Sequence, residues 1–118
     1  MPKLYVVGLG PGARADLTQR ARAALEESQV IAGYTTYVDL VRDVFPEKEL
    51  LVSGMRGEVQ RCRAALERAA SGVTVALVCS GDPGVYGMAG LALELAQDMG
   101  LIDAVDVEVI AGVTAATG

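Results

Sequence analysis

A glycine-rich segment at residues 79–90 follows a short apolar run and precedes a helical pattern of apolar residues. The apolar run, residues 74–78, has the length and residue types of a buried strand. In α/β proteins, ligands bind in the crevice outside the carboxyl ends of such strands. Three glycines and a proline within residues 81–87 favour a tight turn whose backbone approaches another molecule closely. We therefore interpret residues 80–87 as a binding loop and not as a simple connection.

Strand-like and helical patterns alternate along the rest of the chain. Further short apolar runs predict strands at residues 4–8, 29–33, 49–52 and 106–110. Helical spacing predicts a first helix that begins near residue 16 or 17. It also predicts three further helices, at about residues 37–44, 58–70 and 87–99. This alternation is typical of right-handed crossovers between parallel strands. The sequence therefore predicts a three-layer α/β fold, with a sheet of about five parallel strands flanked by helices.

Particular residues are expected to begin, end or bury these helices. Asp16 is a candidate N-cap of the first helix, and Gly72 is a candidate terminator of the helix at 58–70. The apolar stripe of that helix is predicted to comprise Val59, Cys62, Leu66 and Ala69. Its charged side chains are interpreted as the solvent-exposed face, namely Glu58, Arg61 and Arg63.

Composition limits the class of protein. The chain has 118 residues, enough for one domain, and 52% of them are hydrophobic but only 4% aromatic, as in a sheet buried on both faces. A net charge of −5 disfavours a nucleic-acid partner. No apolar stretch reaches the roughly 18 residues that would cross a bilayer. We expect a cytoplasmic protein with no membrane partner.

Two cysteines, Cys62 and Cys79, lie in a helical and in a strand pattern. We interpret both as buried thiols and not as a disulfide or a nucleophile. The chain has no histidine and no paired cysteine motif, so no metal site is expected.

A dinucleotide is a poor candidate ligand. Gly8, Gly10 and Ala13 satisfy the dinucleotide-binding fingerprint, but that pattern is weak alone. An acidic residue is absent from the end of the second strand, where it would hold a ribose hydroxyl. Pro11 also removes an amide from the would-be phosphate cradle.

Loops of small residues follow the first, fourth and fifth predicted strands, at residues 8–12, 80–87 and 111–115. They suit a nucleoside-like ligand held mainly by backbone, with Asp82 or Thr114 beside any positive centre. An adenosine that carries a sulfonium fits this description, although loop composition does not single it out.

Three motifs, by their order and spacing, resemble the tetrapyrrole methylase family. They are residues 7–12 with the following Leu17-Thr18, residues 80–87, and residues 112–116. Within the family, the precorrin-3B C(17)-methyltransferases are the most similar branch, at residues 33–37, 54–62 and 83–91. Ala111 departs from the pattern, because family members typically have proline there.

The resemblance implies S-adenosylmethionine as cofactor and methyl transfer to a ring carbon of a corrin precursor, with ring contraction, in cobalamin biosynthesis. It also implies that residues 1–118 form the N-terminal domain of a two-domain, homodimeric enzyme with a tetrapyrrole substrate. The second domain is absent from this chain, so we expect the chain to be inactive alone.

Site residues are carried over by position. The resemblance places eight residues at the methyl donor: Gly10, Pro11, Ser80, Gly81, Asp82, Val85, Thr114 and Ala115. It places Tyr86 and Met88 at the substrate entrance, while Tyr34 and Arg56 are candidates for substrate contact by their own chemistry, Arg56 toward a carboxylate. Tyr34 and Met55 replace an aspartate and a lysine proposed for proton transfer in relatives, so no catalytic residue is assigned.

Two alternatives remain open. The chain is compatible with another methyltransferase of the family, acting on a different corrin, a protein or a ribosomal RNA. It is also compatible with a non-enzymatic nucleotide-binding module, as the glycine fingerprint suggests.

Overall fold

The computed structural model describes residues 1–9, 17–54, 57–80 and 82–110, apart from the side chains of Asp82 and Pro83. Five strands alternate with four helices in these ranges. The strands are β1 (Lys3–Gly8), β2 (Val30–Tyr34), β3 (Glu49–Ser53), β4 (Val75–Cys79) and β5 (Asp106–Ile110). The helices are α1 (Gln19–Glu27), α2 (Thr35–Val41), α3 (Glu58–Ala70) and α4 (Asp82–Asp98).

All strand pairs of the sheet are parallel, and the strand order is β3-β2-β4-β1-β5. The predicted parallel sheet of about five strands is therefore confirmed. The crossover after β1 passes over β4 to reach β2, whereas the crossover after β4 passes over β1 to reach β5. Because these connections leave in opposite directions, a crevice is expected at the carboxyl ends of β1 and β4.

Alternate residues of each strand face opposite layers of helices. Leu4 and Val6 of β1 belong to the apolar core beneath α3 and α4, together with Val75 and Leu77 of β4. The intervening residues belong to a second core beneath α1 and α2, and they include Tyr5, Val7, Ala76 and Val78. Both faces of the sheet are thus buried, which explains the continuous apolar runs of the central strands.

Helix starts differ from the predictions in two places. The N-cap of α1 is Thr18, whose Oγ1 accepts from the Ala21 amide at 3.1 Å, so the helix begins later than predicted. Asp16 lies outside the described residues. Helix α4 begins at Asp82, five residues before the predicted start at Gly87, so most of the predicted loop at residues 80–87 is the first turn and a half of a helix.

The remaining helices follow the sequence pattern with small shifts. Helix α2 covers Thr35–Val41 in place of 37–44, and α3 has the predicted bounds. Gly72, with φ of +114°, follows α3 in a conformation that favours glycine, as expected of a terminator. Val59 was wrongly placed in the buried stripe of α3, since 42% of its surface is exposed.

None of the helices in the described part of the chain is long and apolar enough to cross a membrane.

Candidate active-site cleft

A cleft of about 230 Å³ opens beside the carboxyl ends of β2 and β4. It is bounded by the ends of these two strands and by residues of α2, α3 and α4. Its lining residues are Tyr34, Tyr37, Glu58, Arg61, Val78, Cys79, Ser80, Gly84 and Met88. The sheet thus places a cavity at its carboxyl edge, where parallel α/β folds bind ligands.

The junction between β4 and α4 forms one wall of the cleft. Ser80 follows the last residue of β4, and Gly84 lies in the first turn of α4. A Cβ added at Gly84 would lie 2.1 Å from the Ser80 Oγ and 3.3 Å from the Ser80 Cβ. The Oγ can rotate away but the Cβ cannot, so glycine at 84 avoids crowding between the first turn of α4 and Ser80.

Arg61 and two tyrosines, Tyr34 and Tyr37, also line the cleft. The Arg61 Nε donates to the Ser53 Oγ at 2.8 Å, and Nη2 donates to the Gly54 carbonyl at 3.0 Å. Its guanidinium carbon lies 5.9 Å from the centre of the Tyr34 ring. Tyr34 packs edge-on against Tyr37, with ring centres 5.8 Å apart. These contacts hold the guanidinium and both rings in fixed positions at the cleft.

Two sulfur-containing residues, Cys79 and Met88, line the cleft, and Cys62 lies behind Met88 in the core. The Cys62 thiol lies 3.2 Å from the Met88 Sδ, and the Cys79 thiol donates to the Val7 carbonyl at 3.6 Å. Both cysteines are free and buried, which confirms the interpretation from sequence. Burial raises the pKa of Cys62 to about 11 and that of Cys79 to about 12. Both thiols are therefore protonated at neutral pH and are poor nucleophiles.

The cleft brings together some of the residues expected in the site. Ser80, Tyr34 and Met88 line it. Asp82 is the first residue of α4, next to the cleft in the chain, where a carboxylate also favours the start of a helix. Six predicted site residues lie outside the described residues: Gly10, Pro11, Arg56, Gly81, Thr114 and Ala115.

Two predicted site residues do not line the cleft. The Val85 side chain is fully buried in the core beneath α3 and α4, so only its backbone is near the β4–α4 junction. Tyr86 has 59% of its surface exposed and is absent from the residues that form the cavity.

Sequence reasoning missed Arg61 as a site residue. It was interpreted as part of the exposed face of α3, but only 8% of its surface is exposed. A usable signal was its position next to Cys62 in the first turn of a helix that starts at the carboxyl edge of the sheet. Tyr37 was missed as well, because it was placed at the start of a helix and not beside Tyr34.

The fold and the cleft define a parallel α/β domain with a cavity at the carboxyl edge of its sheet. Residues 3–118 match the family model described as Tetrapyrrole (Corrin/Porphyrin) Methylases. The chain belongs to this family, as its three sequence motifs predict.

Individual relatives align with nearly the whole of this chain. A probable cobalt-factor III C(17)-methyltransferase of Salmonella typhimurium is 46% identical over 95% of the chain, and a precorrin-3B C(17)-methyltransferase of Sinorhizobium sp is 40% identical over 95%. The crystal structure of the methyltransferase CobJ superimposes with a TM-score of 0.78 at 37% identity, over 99% of the chain. The chain spans 46%, 44% and 48% of these proteins, or about half of their length.

Proposed function

We propose that this chain forms the N-terminal half of a methyltransferase that uses S-adenosylmethionine to methylate C17 of a precorrin-3B-like tetrapyrrole. The observation that carries the proposal is the likeness to two C(17)-methyltransferases along almost the entire chain. The position of the cleft at the carboxyl ends of β2 and β4 supports it independently.

The described residues fit part of a methyl-donor site. The absent side chain at Gly84 leaves the Ser80 hydroxyl and the start of α4 open to a ligand, and Asp82 stands at that helix start. The cleft volume of about 230 Å³ is below the roughly 300–1,000 Å³ typical of a complete small-molecule pocket. This difference supports a site that is completed by residues outside the described ones and by a second domain.

Methyl transfer from a sulfonium does not require a strong acid or base from the protein. When bound, S-adenosylmethionine supplies an electrophilic methyl group on a sulfonium. Displacement at that methyl depends on alignment of the reacting atoms and on exclusion of water. Apolar side chains such as Val78 and Met88 and the ring of Tyr34 suit that task. The Cys79 thiol, which also lines the cleft and is protonated at neutral pH, would not compete for the methyl group.

Calorimetric titration of the full-length protein with S-adenosylhomocysteine tests the donor site. We expect binding, weakened about tenfold or more by Asp82→Ala or Gly84→Val, since each change alters the β4–α4 junction. Matched controls on the same helix are Asp98→Ala and Gly90→Val, which lie on exposed positions, and a Cβ at Gly90 meets no other atom. Unchanged affinity in both junction variants would remove Asp82 and Gly84 from the site.

Turnover assays separate the substrates. The names of the relatives include both cobalt-factor III and precorrin-3B, so the full-length protein should be assayed with a cobalt-containing and a metal-free substrate. Methyl transfer to one of them supports the proposal, whereas transfer only to another corrin, a protein or an RNA would favour a different member of the family. Stabilisation by NAD alone would favour a nucleotide-binding module.

A further inference from the structure

Arg61 carries a positive charge that nothing in the described part of the chain neutralises. Its side chain is more than nine-tenths buried, and buried charges are normally paired. Its two hydrogen-bond acceptors, the Ser53 hydroxyl and the Gly54 carbonyl, are both neutral. Among the described residues, no carboxylate makes an ion pair with it.

Arg61 has hydrogen-bond donors without a partner among the described residues. A guanidinium has five N–H groups, and the hydrogen bonds to Ser53 and Gly54 use only Nε and Nη2. Arg61 also lines the cleft, so a ligand in the cleft would lie beside this side chain.

The surroundings orient the guanidinium instead of neutralising it. The Tyr34 ring lies at cation–π distance from the guanidinium, and the hydrogen bond from Nε to Ser53 fixes the plane of the guanidinium. A planar guanidinium held in this way is suited to two parallel hydrogen bonds with a carboxylate. Glu58 also lines the cleft, but among the described residues no ion pair joins it to Arg61.

We propose that Arg61 recognises a carboxylate side chain of the tetrapyrrole, and that it therefore determines specificity for acid-bearing substrates. The inference rests on the proposed function, because it names the part of the proposed substrate that Arg61 contacts. Acetate and propionate groups of a corrin precursor supply such carboxylates at the ring periphery. Arg61 in this role is a binding residue and takes no part in the methyl transfer.

Porphyrin titrations of the full-length protein test the inference. The probes are coproporphyrin, which bears carboxylates, and its methyl ester, which bears none, with binding followed by the Soret absorption. We expect Arg61→Gln to weaken coproporphyrin binding about tenfold or more and to leave ester binding within about twofold. Arg61→Lys keeps the charge but loses the planar fork, so we expect a smaller loss.

Arg63→Gln is the matched control, because Arg63 lies on the same helix and is exposed; it should leave both affinities unchanged. If the Arg61→Gln variant binds coproporphyrin as tightly as the wild type does, the inference is overturned. An equal loss of affinity for both probes also overturns it, because that result would indicate a purely structural role for Arg61. If Arg61→Gln does not fold, the ratio of the two affinities in Arg61→Lys decides in the same way.

Titration with S-adenosylhomocysteine in parallel distinguishes the two proposals. Donor binding without binding of either porphyrin overturns the role of Arg61 and leaves the donor site standing. Carboxylate-selective porphyrin binding that depends on Arg61, in a protein that does not bind the donor, supports the inference and contradicts the methyltransferase.

Discussion

Gly33 lies on β2 beside the carboxyl end of β4. It is paired with Val78 in the sheet register, and a Cβ at position 33 would lie 2.7 Å from the Val78 Cγ2 and 2.9 Å from the Val78 carbonyl oxygen. The neighbouring residues, Tyr34 on β2 and Cys79 on β4, both line the cleft. The absence of a side chain at Gly33 therefore sets the spacing of the two strands that support the site.

Replacement of Gly33 by alanine should strain this contact. Since the Val78 carbonyl is backbone and cannot rotate away, we expect Gly33→Ala to lower the free energy of unfolding by about 1–3 kcal/mol, as overpacking does. Gly90→Ala is the control, because the added Cβ meets open space in the middle of α4; it should raise stability by about 0.5–1 kcal/mol. Urea denaturation of both variants measures the difference, and equal stabilities would contradict the predicted clash.

Helix α1 has an uncharged polar residue, Thr18, as its N-cap. The Thr18 Oγ1 accepts from the Ala21 amide, and the helix ends at Ser28, whose buried hydroxyl donates to the Ala24 carbonyl at 2.7 Å. Between the caps, Ala21, Ala24 and Leu25 face the core beneath α1 and α2. The two caps define a helix of 9 residues that covers Tyr5 and Val7 of β1.

Loss of the N-cap should be measurable at this helix. Thr18→Ala removes the acceptor for an amide that α1 leaves unpaired, so we expect a loss of about 1 kcal/mol in unfolding free energy. Thr18→Ser keeps the oxygen and should stay within a few tenths of a kcal/mol of wild type. Chemical denaturation of the two variants checks the prediction, which fails if serine and alanine are equally destabilising.

The order and kind of elements were predictable, but not all of their ends. Apolar runs identify the strands because both faces of the sheet are buried, and β5 has its predicted bounds. The start of α4 was missed because Gly84 and Gly87 weaken the helical pattern. The structure extends the helix through them, because proline is tolerated in a first turn and because Val85 and Ala89 pack on the sheet.

The site was only partly predictable for a related reason. Its position followed from the glycine-rich segment after β4, since ligands bind at that edge of a parallel sheet. Arg61 was missed because helical spacing alone does not reveal which polar residue of α3 meets the end of β3. The buried guanidinium depends on the acceptors at Ser53 and Gly54, which only the docked helix brings into reach.

At the scale of the whole molecule, the strand order concentrates the site at one edge. β4 and β1 occupy the middle of the sheet with β2 beside β4, so the elements that follow these strands emerge side by side. Among the described residues, the cleft draws on the ends of β2 and β4 and on helices α2, α3 and α4. The cleft therefore depends on most elements of this domain, and it is only partly enclosed.

This partial enclosure leads to a testable prediction for the whole molecule. The chain spans about half of the relatives it matches, and we propose that a second domain closes the cleft over the methyl donor. We expect the 118-residue chain alone to bind S-adenosylhomocysteine at least about tenfold more weakly than the protein extended by such a domain, because a half-open site leaves much of the ligand in water. Calorimetry on both forms measures this ratio, with circular dichroism to verify that the shorter chain is folded. Equal affinities would mean that the donor site lies wholly within these residues, and the proposed closure by a second domain would then be wrong.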